Sequence, residues 1–471
     1  GAVFNGEVTG EFECHATIAL SRDIQLNAGA ALTVHSSVLD LAATDFDANA
    51  AVRLRAYGLE AELNATLQNG HLKKGADILG DVGIAFAVKV VDFDIDEHGI
   101  HISQGSGSPA PRFTAAGAPI PRSPSATGDS VIVRGLRTAA GFVGNAVEVI
   151  NVQVPILIDS VQLHTSGYGV LITDVTTPVR VRKSHFYGNG IGIERATGTV
   201  LLEHDTVEVT SGPGIVLTDN GPTTIHGSRI VADGFGATGL TGTNTAVTLD
   251  ADTIVANGAF GVVLNQAGAS RIQGTQIAVG GAGGIGLMLA DAAQNSDVAQ
   301  VLNSEITVAG DGGVGLFLRN AGQPLLQDDR IIVTSQGTAI VAFGTSPTIT
   351  NSTLNTPANA FANLDGGRAV LTGNTITGSV DVGSFMRLTG NTFISGSVFD
   401  YGWLLNDPMQ NSGLDPETDI WSPIDFDGNL CRDYPPYGNV KENGICAEDG
   451  IPMPADPGPT AALRTRARVT R

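Results

Sequence analysis

The chain has 471 residues, a formal net charge of −21, 61 glycines, 5% aromatic residues and only 15% charged residues. With 42% hydrophobic residues it is not a disordered composition, and so acidic a surface excludes nucleic acid and anionic membranes, both of which need positive charge to displace counterions. No run of some twenty apolar residues offers a membrane span, whereas abundant carboxylates suit calcium, which takes hard oxygen ligands.

Residues 1–14 are read as an N-terminal cap, and the opening Gly1-Ala2 as a processed or trimmed start without a signal peptide. Further on, VDFDIDEHGIHI at 91–102 alternates Asp92, Asp94 and Asp96 with Phe93 and Ile95, followed by Glu97, His98 and His101. In an extended chain the three carboxylates share one face and the apolar pair the other. Two readings stand: a solvated strand face, or a calcium site if oxygens from neighbouring turns converge. The next segment, 103–128, is rich in Ser, Gly, Pro and Ala without a strand pattern, and is read as a loop inserted at one corner.

From about residue 183 a short phrase recurs: KSHF, HDTV, GSRI, ADTI, GTQI, NSEI, DDRI, NSTL, GNTI and GNTF. Its closing apolar residues run from Phe186 through Val207, Ile230, Ile254, Ile277, Ile306, Ile331, Leu354 and Ile376 to Phe393, nine intervals averaging 23 residues. A second phrase alternates with it, as GVLI at 169, GIGI at 190, GIVL at 214 and GVVL at 261. Units of this length hold two or more short strands and no helix, are too short for a propeller blade, and lack the leucine spacing of leucine-rich repeats. What remains is a coil whose turns stack by parallel strand pairing at about 4.8 Å per turn, with Ile, Val and Leu in internal files. Asn303, Asn351, Asn374 and Asn391 are expected at corners, where asparagine tolerates left-handed backbone and forms hydrogen-bonded ladders.

The alternation of G-I-x-I and N-S-x-I phrases resembles the right-handed parallel β-helix proteins of the pectin-lyase-like superfamily. The resemblance covers residues 15–403. ALTVHSSVLDL at 31, TLQNGHLKKG at 66 and VGIAFAVKVVDFDI at 82 look like early turns, and IDFDGNLCRD at 424 resembles the closing segment of many secreted members. The fold implied is all-β, a parallel β-helix solenoid of roughly 23-residue turns with a capping C-terminal tail at 404–471. The Arg-bearing end of that tail (Arg464, Arg466, Arg468 and Arg471) is expected to fray. Within the tail, Asp425 and Asp427 of DFDGN are a second candidate calcium pair, although Asx-turn capping explains them equally. Cys431 and Cys446 are near enough in sequence to pair, closing a loop worth roughly 3 kcal/mol and fitting an oxidising exterior. Cys14 is read as a small buried apolar residue.

Lyases of this fold use a base to take the proton α to a uronate carboxylate and a cation to stabilise the resulting charge. The chain has five lysines, and all nine histidines lie at or before His226. The candidate catalytic cluster is therefore Arg182, Lys183 and His185, beside Arg180, on one turn, Glu203 and His204, with Asp205, on the next, and His226 on a third. Arg182, Glu203, His226 and Asp250 should occupy one column about 5 Å apart, a polysaccharide site or a salt-bridge ladder. Asp328-Asp329 invites comparison with polygalacturonase-type hydrolases, but their accompanying N-T-D, G-H-G and R-I-K phrases are absent, so that assignment is rejected. Nor is there a P-loop, dinucleotide fingerprint, zinc spacing or Ser-His-Asp context.

Two functions follow. The first is a secreted or cell-surface β-helix, adhesin-like or structural, that interacts with polysaccharide or cell-surface glycan and self-associates if its coil ends are bare. The alternative is a calcium-assisted uronate lyase or epimerase with its site on the turns at 180–230. Short turns and modest corner insertions, which leave no loops to wall a cleft, favour the first.

Overall fold

The computed structural model describes strand segments 2–4, 7–11, 17–20, 24–26, 31–36, 38–42, 46–48 and 51–56, then residues 62–80, 85–105, 130–291, 298–364, 367–382, 386–395, 398–400, 424–427 and 430–431. It separates into two compact units, Gly1–Asp233 and Gly234–Arg471. No helix among the described residues is long and apolar enough to cross a membrane.

In the first unit most strands are four to six residues long and rich in β-branched residues, with Glu62–Leu72 and Ala85–Ile95 longer at eleven, and strands pair in parallel with their equivalents one turn later. Ile156–Asp159, Val179–Arg182, Val200–Glu203 and Thr223–His226 form one such stack. Its turns are joined by bonds such as Val179 N–H to Thr199 O (2.9 Å) and Val200 N–H to Pro222 O (3.0 Å). Because strand side chains alternate in direction, the register sets an internal file of Leu54, Ile78, Ile102, Val149, Ile172, Ile193 and Leu217, all essentially inaccessible to solvent. In the second unit, Ile254, Ile277, Ile306, Ile331, Leu354 and Ile376 lie in one file, with Phe393 next in register. The apolar ends of the recurring phrase thus fill the interior.

The first two residues of the same phrase make the corners. The opening residue adopts left-handed backbone: Lys183, His204 and Gly227 in the first unit, and Ala251, Gly274, Asn303, Asp328, Asn351, Gly373 and Gly390 in the second, with φ between +49° and +67°. The following residue is buried and polar, and its side-chain oxygen accepts the backbone N–H of its counterpart one turn earlier. Ser184 N–H donates to Asp205 Oδ1 (2.9 Å) and Asp205 N–H to Ser228 Oγ (3.2 Å). In the second unit Ser304 N–H donates to Asp329 Oδ1 (2.8 Å), Ser352 N–H to Asn374 Oδ1 (2.8 Å) and Asn374 N–H to Asn391 Oδ1 (2.9 Å). Of the four asparagines expected at corners, Asn303 and Asn351 take the left-handed position, whereas Asn374 and Asn391 form the ladder. Asp328 and Asp329 divide in the same way, one to the turn and one to the ladder.

Parallel pairing begins at Ala2–Phe4 with Ile24–Leu26, within the segment read as a cap. It extends to Ile424–Asp427 and Leu430–Cys431, which pair with Met386–Thr389 and Thr392–Ser395. Ser103 and Gln104, read as the start of the inserted loop at 103–128, belong instead to the strand Ile100–Gln104, while the loop from residue 106, Cys14, Cys446 and the Arg-bearing end lie outside the described residues.

The ladder carries a pH dependence. Burial lifts the Asp205 carboxyl to about 7 against the pull of the Ser184 and Glu203 backbone N–H groups. Asn374, at the equivalent position, turns an amide N–H onto Ile349 O (2.9 Å). A folded-state pKa above the unfolded one means the native state holds the extra proton. Its stabilising contribution is therefore complete below about 3.8 and disappears as pH rises through about 7. Asp205→Asn, which mimics the protonated acid, should be more stable than the parent chain at pH 8 by on the order of 1–3 kcal/mol, with the gap closing by pH 4. Denaturant unfolding at the two pH values measures it, and a variant destabilised at both would refute the assignment.

Candidate functional site

Outward positions of the first unit bring the predicted residues together in files. Strand register places Arg134, Asp159, Arg182, Glu203 and His226 side by side on five successive turns. The expected column is therefore real from Arg182 to His226. Asp250 belongs to the second unit, where it pairs with Gln273.

Charge alternates along this file and is largely neutralised by ion pairs within it and with Arg180 beside it. Arg182 Nη2 lies 3.0 Å from Asp159 Oδ2, and Arg134 Nε and Nη2 each lie 3.0 Å from the same oxygen. Burial of Asp159 opposes its ionisation. Hydrogen bonds from Arg182 and Ser160 and the charges of Arg182 and Arg134 outweigh that effect and hold the carboxyl below its ordinary value. Glu203 is taken not by Arg182 but by Arg180, whose Nε and Nη2 lie 2.6 and 2.5 Å from Glu203 Oε2. Lys183 and His204 occupy the left-handed corners beyond the strands. The His204 imidazole lies over Gly227, where an added Cβ would come within 2.6 Å of Nδ1, and it meets the His226 ring edge-on with centroids 5.4 Å apart.

His185 belongs to a different group, on the strand His185–Gly188. His185 and Tyr187, two residues apart, face the same way, while register sets His164 against Tyr187 on the preceding turn and Glu208 against it on the following one. The Tyr187 ring stacks on His164 (centroids 4.0 Å, planes 8° apart) and on His185 (3.8 Å, 29°). Tyr187 Oη is 2.9 Å from His185 Nδ1. Burial pushes the His185 pKa below its usual value despite the opposing charge of Glu208, so the neutral ring accepts this hydrogen bond, an assignment that puts the ring proton on Nε2. That nitrogen faces Glu208 Oε1 at 3.5 Å, and Arg229 Nη1 lies 3.9 Å from the same oxygen. Sequence reasoning missed His164, Tyr187, Glu208, Arg229 and Asp159. The signal was the turn length itself, since His164 and Asp159 stand 23 residues before Tyr187 and Arg182.

The aspartates proposed for calcium take different places in the turns. Asp92 occupies a left-handed corner (φ 57°) against Gly135. Asp94 lies on the strand Ala85–Ile95, and Asp96 pairs with His71 at 2.8 Å. Among the described residues no three His, Cys, Asp or Glu side chains group as a metal site. Asp425 and Asp427 lie on the strand Ile424–Asp427 in register with Arg387 and Thr389, and their side chains fall outside the described residues.

These geometries predict unequal energetics for two neighbouring ion pairs. Asp159→Ala strands two arginines around a side chain only 7% exposed and should lower unfolding free energy by about 2 kcal/mol. Arg180→Ala removes an exposed partner and should cost under about 1 kcal/mol. Denaturant midpoints of the two variants test the order, and its reversal would show that the file is not held by Asp159.

A family profile described as a right handed beta helix region matches residues 138–277 and 240–399. No curated protein sequence matches the chain. Among solved structures, one similar fold is DFA-IIIase from Arthrobacter chlorophenolicus A6 in complex with GF2, at 10% identity over 84% of this chain and 90% of that one, with a TM-score of 0.32. Another is tailspike protein 3 of bacteriophage CBA120, at 8% identity over 84% of this chain and 57% of that one, with a TM-score of 0.27.

Proposed function

The chain belongs to the right-handed β-helix family, whose profile spans more than half its length, and on that premise we propose that it is an extracellular surface or structural protein that binds polysaccharide without cleaving it. The observation that carries this reading is that Arg182 and Glu203, the charged pair best placed for acid–base work, are each already paired with another residue, Asp159 and Arg180. A general acid or base must be within reach of the proton it moves and in the required protonation state. Groups locked into a salt-bridge file serve the fold instead.

Beside that file, the stacked rings of His164, Tyr187 and His185, flanked by Glu208 and Arg229, offer what a glycan needs. Aromatic surface packs against the C–H faces of a sugar ring, and polar groups at its margin take the hydroxyls. An extracellular setting accords with the acidic surface and with Cys431 and Cys446, and self-association through coil ends belongs to the same picture.

A second reading, eliminative cleavage of a uronate chain, draws on one feature. The Tyr187–His185–Glu208 relay has the order needed to move a phenolic proton, with Arg229 as the neighbouring cation.

One experiment separates the two. The full chain is incubated with a panel of polysaccharides that includes polyuronates, with and without calcium, while bound glycan and the absorbance of unsaturated ends are followed. Binding without product, weakened about tenfold by Tyr187→Ala (roughly 1.4 kcal/mol), is the expected result. Product whose formation is abolished by Tyr187→Phe or His185→Ala would replace the binding reading with the enzymatic one.

A further inference from the structure

The corners of the second unit narrow along the chain. Thr307, Ile332, Asn355 and Thr377 are in register on four successive turns, and so are Val314, Thr338, Asn359 and Ser379. Six residues connect the two files in the first of these turns (308–313), five in the next (333–337), three in the next (356–358) and one in the last, Gly378. The pairing accommodates the loss through register shifts at Asn355/Asn359 and Asn359/Phe361. Gly378, at φ +114°, makes the tightest corner, where an added Cβ would meet Thr356 Cγ2 and Thr356 O at 2.8 Å. A groove of about 450 Å³ lies at these shortening corners.

The lining of this groove is chemically selective. Ile332 and Pro357 supply apolar surface, while Thr334, Asn355, Thr377 and Ser379 supply hydroxyl and amide groups, and no lining residue carries a charge. Thr356 Oγ1 is committed to the corner itself, donating to Gly337 O (3.1 Å) and accepting from Ala358 N–H (3.1 Å). The side-chain polar atoms of the other four make no hydrogen bond among the described residues. The volume falls within the range of small-molecule sites, and the open, mixed polar and apolar lining suits a hydroxyl-rich ligand. With no cation in the lining, a carboxylate or phosphate brought into the groove would lose hydration without compensation.

We propose that this groove is a binding subsite for one or two residues of a neutral polysaccharide, the apolar patch taking a sugar ring face and the four polar side chains its hydroxyls. The inference rests on the reading that the partner is a glycan, but assigns a second, separate site and a charge class. It is tested on the full chain by calorimetric titration with neutral oligosaccharides of glucose, mannose and galactose, and with oligogalacturonate.

At least one neutral oligomer should bind, with affinity falling five- to tenfold in Asn355→Ala and in Thr377→Val, the first an exposed and the second a half-buried position, whose unfolding midpoints should stay near the parent value. Thr334→Asp, which adds a charge to the rim, should weaken the same neutral ligand. Failure of every neutral oligomer to bind would overturn the proposal, as would affinities within twofold of the parent in both Asn355→Ala and Thr377→Val. Binding sensitive to Tyr187→Ala alone would leave the ring-stack site standing and this one refuted.

Discussion

Backbone pairing between successive turns is the constraint on which everything else in this protein depends. A strand of four residues has no internal hydrogen bonds, so its N–H and C=O groups are satisfied only by the strands before and after it. Bonds such as Val179 N–H to Thr199 O in the first unit and Leu325 N–H to Ala299 O in the second do this at every turn. Pairing at constant register makes residues one turn apart into neighbours. It therefore decides which side chains share the interior and which meet on the surface.

The consequences differ inside and out. Inside, the positions are taken by apolar residues and by polar ones that bond the backbone of the neighbouring turn, which gives the isoleucine files and, within each unit, a ladder: Ser184 and Asp205 in the first, Ser304 with Asp329 and Asn374 with Asn391 in the second. Outside, a column is a row of contacts about 4.8 Å apart, short enough that each charge finds the next. Asp159 draws two arginines and Glu203 a third, so a strip that resembles an acid–base site in composition is electrostatically closed. Where the outward residues are rings, as at His164, Tyr187 and His185, the same spacing yields a stack. Where a corner shortens, as from Ile332 to Thr377, it yields a groove.

The sequence disclosed the repeat, the internal files and the corner positions because each has a narrow chemical requirement. Only an apolar residue fits at Ile277, and only Gly, Asn, Asp and a few others sit comfortably at a left-handed corner. The register of Arg182, Glu203 and His226 could be counted from the phrase endings. The pairing of their charges could not, because Arg180 and Arg182 share a face and both reach an acid one turn away. The ring cluster was missed for a related reason. The recurring phrase ends at Phe186, and Tyr187 lies one position beyond it, where the pattern places no constraint. The narrowing corners required exact partners on both sides of each turn, which turn length alone does not provide.

The most direct measurement of the central claim is a double-mutant cycle between His164 and Tyr187, 23 residues apart in sequence. Unfolding free energies would be determined for His164→Ala, Tyr187→Ala and the double variant. Turn-on-turn register predicts a coupling of about 0.5–1.5 kcal/mol, the range for contacting aromatic pairs. Strict additivity of the two substitutions would contradict it.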